Sequence, residues 1–160
     1  MSQARVEVAG TEVSTEHYIG GRRVGSETTF EDRSPIDWSW QLATVARGDA
    51  DTAAAAVGAA QAAFPVWAEH TVAERAAVLH RLADGIDANV ERIAEVECLD
   101  MGMLERSLKA RVIARGAANL RNYADLAVEL EEPVWSSKGT ENRVVRHPAG
   151  PAVIITPWNA

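Results

Sequence analysis

Long apolar runs are missing from these 160 residues, and so are cysteine pairs and any excess of positive charge. No window approaches the roughly 20 consecutive apolar residues of a membrane span, so no membrane partner is expected. Cys98 is the single cysteine, which excludes an intrachain disulfide and suits a reducing compartment. The start, Met1-Ser2-Gln3-Ala4-Arg5, leads into no apolar signal core. A cytoplasmic location is therefore expected. Sixteen Lys and Arg stand against 23 Asp and Glu, a net charge of -7 that disfavours nucleic acid as a partner. Neither a G-x-G-x-x-G fingerprint nor a phosphate-binding P-loop occurs. His17, His70, His80 and His147 are scattered without ligand spacing, so no metal site is expected. What remains is 47% hydrophobic and 24% charged, the balance of a globular chain of single-domain length.

Residues 1–16 are polar without clear periodicity and read as a loose arm. Gly20-Gly21 between Tyr18-Ile19 and Arg22-Arg23-Val24 predicts a small hairpin, because glycine tolerates the positive φ of tight turns. Ser34-Pro35-Ile36-Asp37 reads as a turn and Leu42 to Ala46 as a short strand. Helices then dominate. Asp49 or Asp51 caps the first, whose apolar face is Ala53, Ala56, Val57, Ala60 and Phe64, and Pro65 is expected to end it. Thr71 with Glu74 forms a capping-box pattern for the second, with Val72, Ala76, Leu79, Ala83 and Ile86 as its stripe. The third carries Val90, Ile93 and Ala94 to Asp100 and stops at Gly102. The fourth spans 104–130 on Ile113, Ala117, Leu120, Ala124 and Ala127, before Pro133.

Strands return near the end. Asn142 to His147 partly alternates, as an edge or interface strand does. Ala152-Val153-Ile154-Ile155 is a continuous apolar run, the pattern of a strand buried on both faces of a parallel sheet. Such a strand needs a crossover and a partner, and the helices need a sheet to cover. The 160 residues are therefore expected to be part of a larger α/β fold, helix-rich with small strands.

The order of these elements resembles the aldehyde dehydrogenase superfamily from about residue 17 onward. The matching stretches are Tyr18 to Gly21, Ala43 to Gly48, Ala59 to Phe64, Glu74-Arg75-Ala76 with Leu79 and Leu82-Ala83-Asp84, Glu97 to Gly102, and Tyr123-Ala124. Pro148 to Asn159 is the strongest, and Ile155-Thr156-Pro157-Trp158-Asn159 is close to diagnostic. Around Gly102 the family often has Asn followed by Lys-Pro, where this chain has Asp100-Met101-Gly102-Met103-Leu104. Arg146 to Pro151 and Arg115 to Arg121 are similar to the hydroxymuconic semialdehyde dehydrogenases. Betaine-aldehyde and succinate-semialdehyde dehydrogenases share similar N-terminal halves.

The resemblance implies the N-terminal part of the aldehyde dehydrogenase fold. It divides into an arm (1–16), a helical and small-strand part of the cofactor domain (17–133), an oligomerisation strand segment (134–150), and the first core strand of a Rossmann-like sheet (151–160). It implies oxidation of an aldehyde, a semialdehyde in the named group, to a carboxylic acid with NAD or NADP, in a homodimer or homotetramer. Asn159 is then the donor to the oxyanion formed when a cysteine thiolate attacks the aldehyde. Ile155, Thr156, Pro157 and Trp158 line the cofactor cleft. On residue type alone, Asn159 reads first as a turn residue bonding its own backbone, and Trp158 can be core and shape a cleft wall at once.

The family's nucleophilic cysteine and general-base glutamate have no counterparts among these residues. Cys98 sits in a helical run beside Glu97 and Asp100, a setting that does not favour a thiolate. Arg22 and Arg23 read as solvated turn charges, and Glu129, Glu131 and Glu132 as exposed groups at a helix end. These 160 residues are expected to be inactive alone. The alternative is a non-catalytic remnant or helical interaction module of an aldehyde dehydrogenase-like protein.

Overall fold

The computed structural model describes residues 4–156. Among the described residues, three separate antiparallel hairpins precede a run of helices in the chain and a fourth follows it. β1 (Arg5–Val8) pairs with β2 (Thr11–Ser14), so the stretch read as a loose arm is a hairpin instead. β3 (His17–Ile19) pairs with β4 (Arg22–Val24), the hairpin that Gly20-Gly21 predicts. β5 (Thr29–Arg33) pairs with β6 (Gln41–Ala46), with a register shift at Asp32/Arg33. β7 (Val134–Ser137) pairs with β8 (Thr140–Arg143). The expected strand over 142–147 thus lies earlier, and its partner had not been foreseen. Three of the hairpins turn on two residues at positive φ, namely Ala9-Gly10, Gly20-Gly21 and Lys138-Gly139. That backbone matches the right-handed twist of the flanking strands.

Helix α1 (Ala50–Glu69) starts where the Asp49 carboxylate accepts the Thr52 N–H at 2.8 Å. It does not stop at Pro65, which lies inside it. Proline removes one ladder donor, but the affected acceptor residue, Gln61, is exposed and its carbonyl can turn to water. Phe64 and Ala68, both half-buried, carry the covered face across the break. The Thr71–Glu74 capping box forms at the start of α2 (Val72–Ala88). Helix α3 (Val90–Met101) closes on Gly102 at φ 73. A Cβ there would stand 3.1 Å from Pro35, so the site needs glycine for both backbone shape and space.

The fourth helical run begins as α4 (Glu105–Ser107), passes through a π-helical stretch over Leu108–Ile113, and continues as α5 (Ala114–Glu129). The π stretch has a packing consequence. Leu108 and Ile113 are both buried in one cluster with Ala94. Five residues apart on an α-helix they would point roughly 140° away from each other. The wider π turn brings them to one face. Ile86, Val90, Ile93 and Cys98 pack against this cluster.

Helix α2 lies along α5, with Ala76, Ala83, Ala117 and Ala124 buried between them. Alanine lets two axes approach to about 8 Å. Ion pairs border this contact: Arg121 to Asp84 at 2.7 Å and to Asp87 at 2.8 Å, and His80 to Asp125 at 2.8 Å. All are at the surface and add little each. The β5–β6 hairpin is fastened to α3 by Ser34, fully buried, whose Oγ donates to the Leu99 carbonyl at 2.7 Å.

The apolar run expected as a buried strand is not one here. Residues 144–156 carry no strand pairing, and Val153, Ile154 and Ile155 are 74, 85 and 88% exposed. A strand exists only through its ladder, and no described strand lies against this segment. Among the described residues no helix is long and apolar enough to cross a membrane.

Candidate active-site segment

Helix α5 ends at Glu129, and the chain turns through Pro133 into β7–β8. The strand exit is then tied back to the helix end. Val144 N–H donates to the Pro133 carbonyl at 3.1 Å, and Arg146 N–H donates to the Glu132 carboxylate at 3.2 Å. The Arg146 guanidinium donates to the Glu131 carbonyl. Glu132 therefore anchors the approach to the candidate site, a task its sequence context did not suggest.

From here the chain runs extended through Pro148-Ala149-Gly150-Pro151, with Gly150 at φ 107. Together with the C-terminal half of α1 it encloses a cleft of about 710 Å³. Phe64, Trp67 and Leu130 give it an apolar floor, and Arg75 and Arg146 a cationic edge, with His147 beside them. Its floor is braced by the Trp67 and His70 rings, 5.9 Å apart, and by His70 Nδ1 at 2.8 Å from the Val66 carbonyl.

Of the residues singled out in the sequence, Ile155 and Thr156 lie at the open end of this segment. Both are exposed, and their main-chain groups make no hydrogen bond to any described residue. Pro157, Trp158 and Asn159 lie outside the described residues. Cys98 is half-buried against the Ala94–Leu108–Ile113 cluster, a packing position rather than a cleft. Among the described residues no three His, Cys, Asp or Glu converge as a metal site would require.

Two carboxyls near α3 are perturbed. Burial, then the nearby Asp100 charge, raises the Asp32 carboxyl above the usual range. The same two causes, in the same order, raise Glu97. His17 was passed over as a scattered histidine. Its Nε2 is buried without a hydrogen-bond partner among the described residues, beside Gly48 at the start of α1. Nothing in the sequence marks that approach, because the two residues meet only in the fold.

The aldehyde dehydrogenase family profile matches residues 23–160. The chain belongs to the aldehyde dehydrogenase family. It is 40% identical over 153 residues to 2-hydroxymuconic semialdehyde dehydrogenase of Pseudomonas sp. strain CF600, covering 89% of this chain and 31% of that one. Against 5-carboxymethyl-2-hydroxymuconate semialdehyde dehydrogenase of Escherichia coli the identity is 31%, with the same two coverages. In three dimensions it superposes on indole-3-acetaldehyde dehydrogenase of P. syringae, solved with NAD+ and IAA. The TM-score is 0.74 at 30% identity, over 79% of this chain and 26% of that one. The aldehyde dehydrogenase KauB of Pseudomonas aeruginosa gives a TM-score of 0.74 at 29% identity, over 78% and 26%. The chain thus spans about a third of the length of the curated aldehyde dehydrogenases it matches. It is a mixed α/β unit of helices and small hairpins corresponding to their N-terminal part.

Proposed function

We propose that the whole protein to which these residues contribute oxidises an aldehyde to a carboxylic acid with NAD+ or NADP+. The favoured substrate class is a semialdehyde of the hydroxymuconic type, suggested by the 40% identical Pseudomonas relative. The observation that carries this reading is the run Ile155-Thr156-Pro157-Trp158-Asn159 at the end of the family match.

In this reading a cysteine thiolate, supplied by residues outside this chain, attacks the aldehyde carbon. The carbonyl oxygen becomes an anion, and the Asn159 side-chain amide donates to it. Such a donor is worth roughly 2.7–4 kcal/mol in other oxyanion holes. The nicotinamide accepts hydride from the tetrahedral carbon. Water then releases the acid from the thioester. Ile155 and Thr156 would hold the cofactor through main-chain groups, with Pro157 and Trp158 shaping the cleft wall. Ile155 and Thr156 make no main-chain hydrogen bond to a described residue, which suits that part.

Cys98 packs into the helical core and is not placed to serve as the nucleophile. The 160 residues alone are therefore proposed to be inactive, which also leaves room for the second reading, a non-catalytic module. The fully exposed pattern of β7 and the exposed Val145 favour residues 134–150 as a subunit contact in a homodimer or homotetramer. The sections 1–16, 17–133 and 151–160 are kept as the proposed domain divisions, with a cytoplasmic location.

The assay that tests the function offers the whole protein hydroxymuconic semialdehyde and simple aliphatic aldehydes with NAD+ or NADP+. Reduced cofactor should form in proportion to acid, fastest with the semialdehyde. Absence of turnover on every aldehyde, with the protein folded, would favour the non-catalytic module.

A further inference from the structure

Helices α2 and α3 meet at Asn89, and together with β2 they border a groove of about 550 Å³. Helical spacing builds its apolar lining. Leu82 and Ile86 stand one turn apart on α2, and Ile93 and Val96 lie on one face of α3. Val13 of β2 adds to them, and Leu82 is left 51% exposed. Gly85 lies within the same stretch of α2. Its backbone is helical, and a Cβ there would meet nothing within 4 Å. Neither the backbone nor the packing asks for glycine, which weakens a helix interior relative to alanine. What the missing side chain leaves is room in the groove.

Two guanidiniums, Arg81 and Arg92, line the same groove. Three acids on these helices are engaged elsewhere, Asp84 and Asp87 with Arg121 and Glu91 with Lys109. Among the described residues Arg81 has no hydrogen-bond or ion-pair partner, and Arg92 has one long bond, 3.4 Å to Asn89 Oδ1. Glu97 lines the groove as well and opposes them. Burial, then the Asp100 charge, raises its carboxyl, so one partly buried acid faces two cations.

We propose that this groove binds a free medium-chain aliphatic carboxylate, its alkyl chain lying over Leu82, Gly85 and Ile86 and its carboxylate between Arg81 and Arg92. Ligand sites combine an apolar lining with a few placed polar groups, and this groove supplies both. Arginine meets a carboxylate through two parallel N–H donors, which lysine does not. The groove shares no residue with the cleft beside α1, and the proposal does not rest on the proposed function.

Equilibrium dialysis of radiolabelled octanoate against the whole protein tests it. Acetate carries the charge alone and octanol the chain alone. Octanoate should bind at least about tenfold more tightly than either, since only it uses both halves of the groove. Arg81→Gln with Arg92→Gln, both at exposed positions, should weaken octanoate at least about tenfold and leave octanol unchanged. Gly85→Leu fills the groove and should weaken octanoate at least about tenfold too. Its thermal midpoint should be no lower than wild type, because leucine favours a helix over glycine. Helical circular dichroism checks that each variant folds. Acetate or octanol binding as tightly as octanoate overturns the proposal, since one half of the ligand then suffices. Unchanged octanoate affinity in the arginine or the Gly85 variant overturns it as well, by placing the ligand elsewhere.

Discussion

Single residues hold this fold at points where a side chain answers a specific backbone demand. Ser34 is the clearest, being fully buried and donating to the Leu99 carbonyl while its Oγ accepts from Ile36 N–H at 3.3 Å. Ser34→Ala leaves both groups unmet, at a cost of about 1–3 kcal/mol. Urea unfolding of the 160-residue chain should show the midpoint fall with its slope unchanged; an unchanged midpoint would mean water replaces the hydroxyl. Asp32 and Glu97 act in the opposite sense. Their folded pKa values are raised, so the folded state holds more protons than the unfolded one through that range. Their contribution is fully present below the ordinary carboxyl pKa and is lost as pH rises through the raised values. Asp100 adds charge to both, so Asp100→Asn should stabilise the chain near neutral pH relative to wild type. The advantage should vanish below about pH 4, where carboxyls are protonated. Thermal melts across that range check it, and a gain that persists in acid would assign the effect to packing. Gly102 and the Thr71–Glu74 pair could be read from the sequence because their chemistry is local. Ser34 could not, since its partner lies 65 residues away.

Elements were legible where periodicity and caps agree. Helices α2 and α3 and the α4-to-α5 run fall where the apolar spacing puts them, and Ala76, Ala83, Ala117 and Ala124 occupy buried positions of the expected stripes. Pro65 misled, because its missing donor is a cost that an exposed acceptor and a continuing covered face can outweigh. The π stretch left no local mark, since Leu108 and Ile113 are only seen to share a face once Ala94 lies against them. The β1–β2 and β7–β8 hairpins were missed for a turn-level reason. Ala9 and Lys138 take positive φ without being the glycine or asparagine that advertises it. The β7–β8 hairpin also bears on assembly. Val144→Pro with Val145→Pro in the whole protein removes the Val144 N–H bond to Pro133 and disorders the strand exit. Sedimentation should then show dissociation towards monomer. An unchanged oligomer would free residues 134–150 of any role in assembly.

At the scale of the whole molecule, the core is small and the exposed apolar surface large. Alanines fill much of the buried set, and among the described residues Leu108 is the largest side chain buried almost completely. The buried cluster lies among α3 and the π-helical stretch with alanines buried in α2 and α5, while α1 buries no residue and Val153, Ile154 and Ile155 are exposed. The family was readable from motif order, because many weak matches in register add up. The strand expected at 152–155 is not formed, because a strand is a relation between two segments and no described strand lies against this one. The same logic governs the chemistry. In the proposed mechanism Asn159 would act only after a thiolate has attacked an aldehyde, so the proposal is tested on the whole protein. The most direct measurement is single-turnover hydride transfer by the whole protein carrying Asn159→Ala. In the proposed role the charge met by Asn159 would exist only after attack, so the loss should fall on the chemical step. Hydride transfer should slow by roughly 10²–10³, with cofactor affinity changed less than about tenfold. A wild-type rate of hydride transfer in that variant would make Asn159 a turn residue and contradict the account.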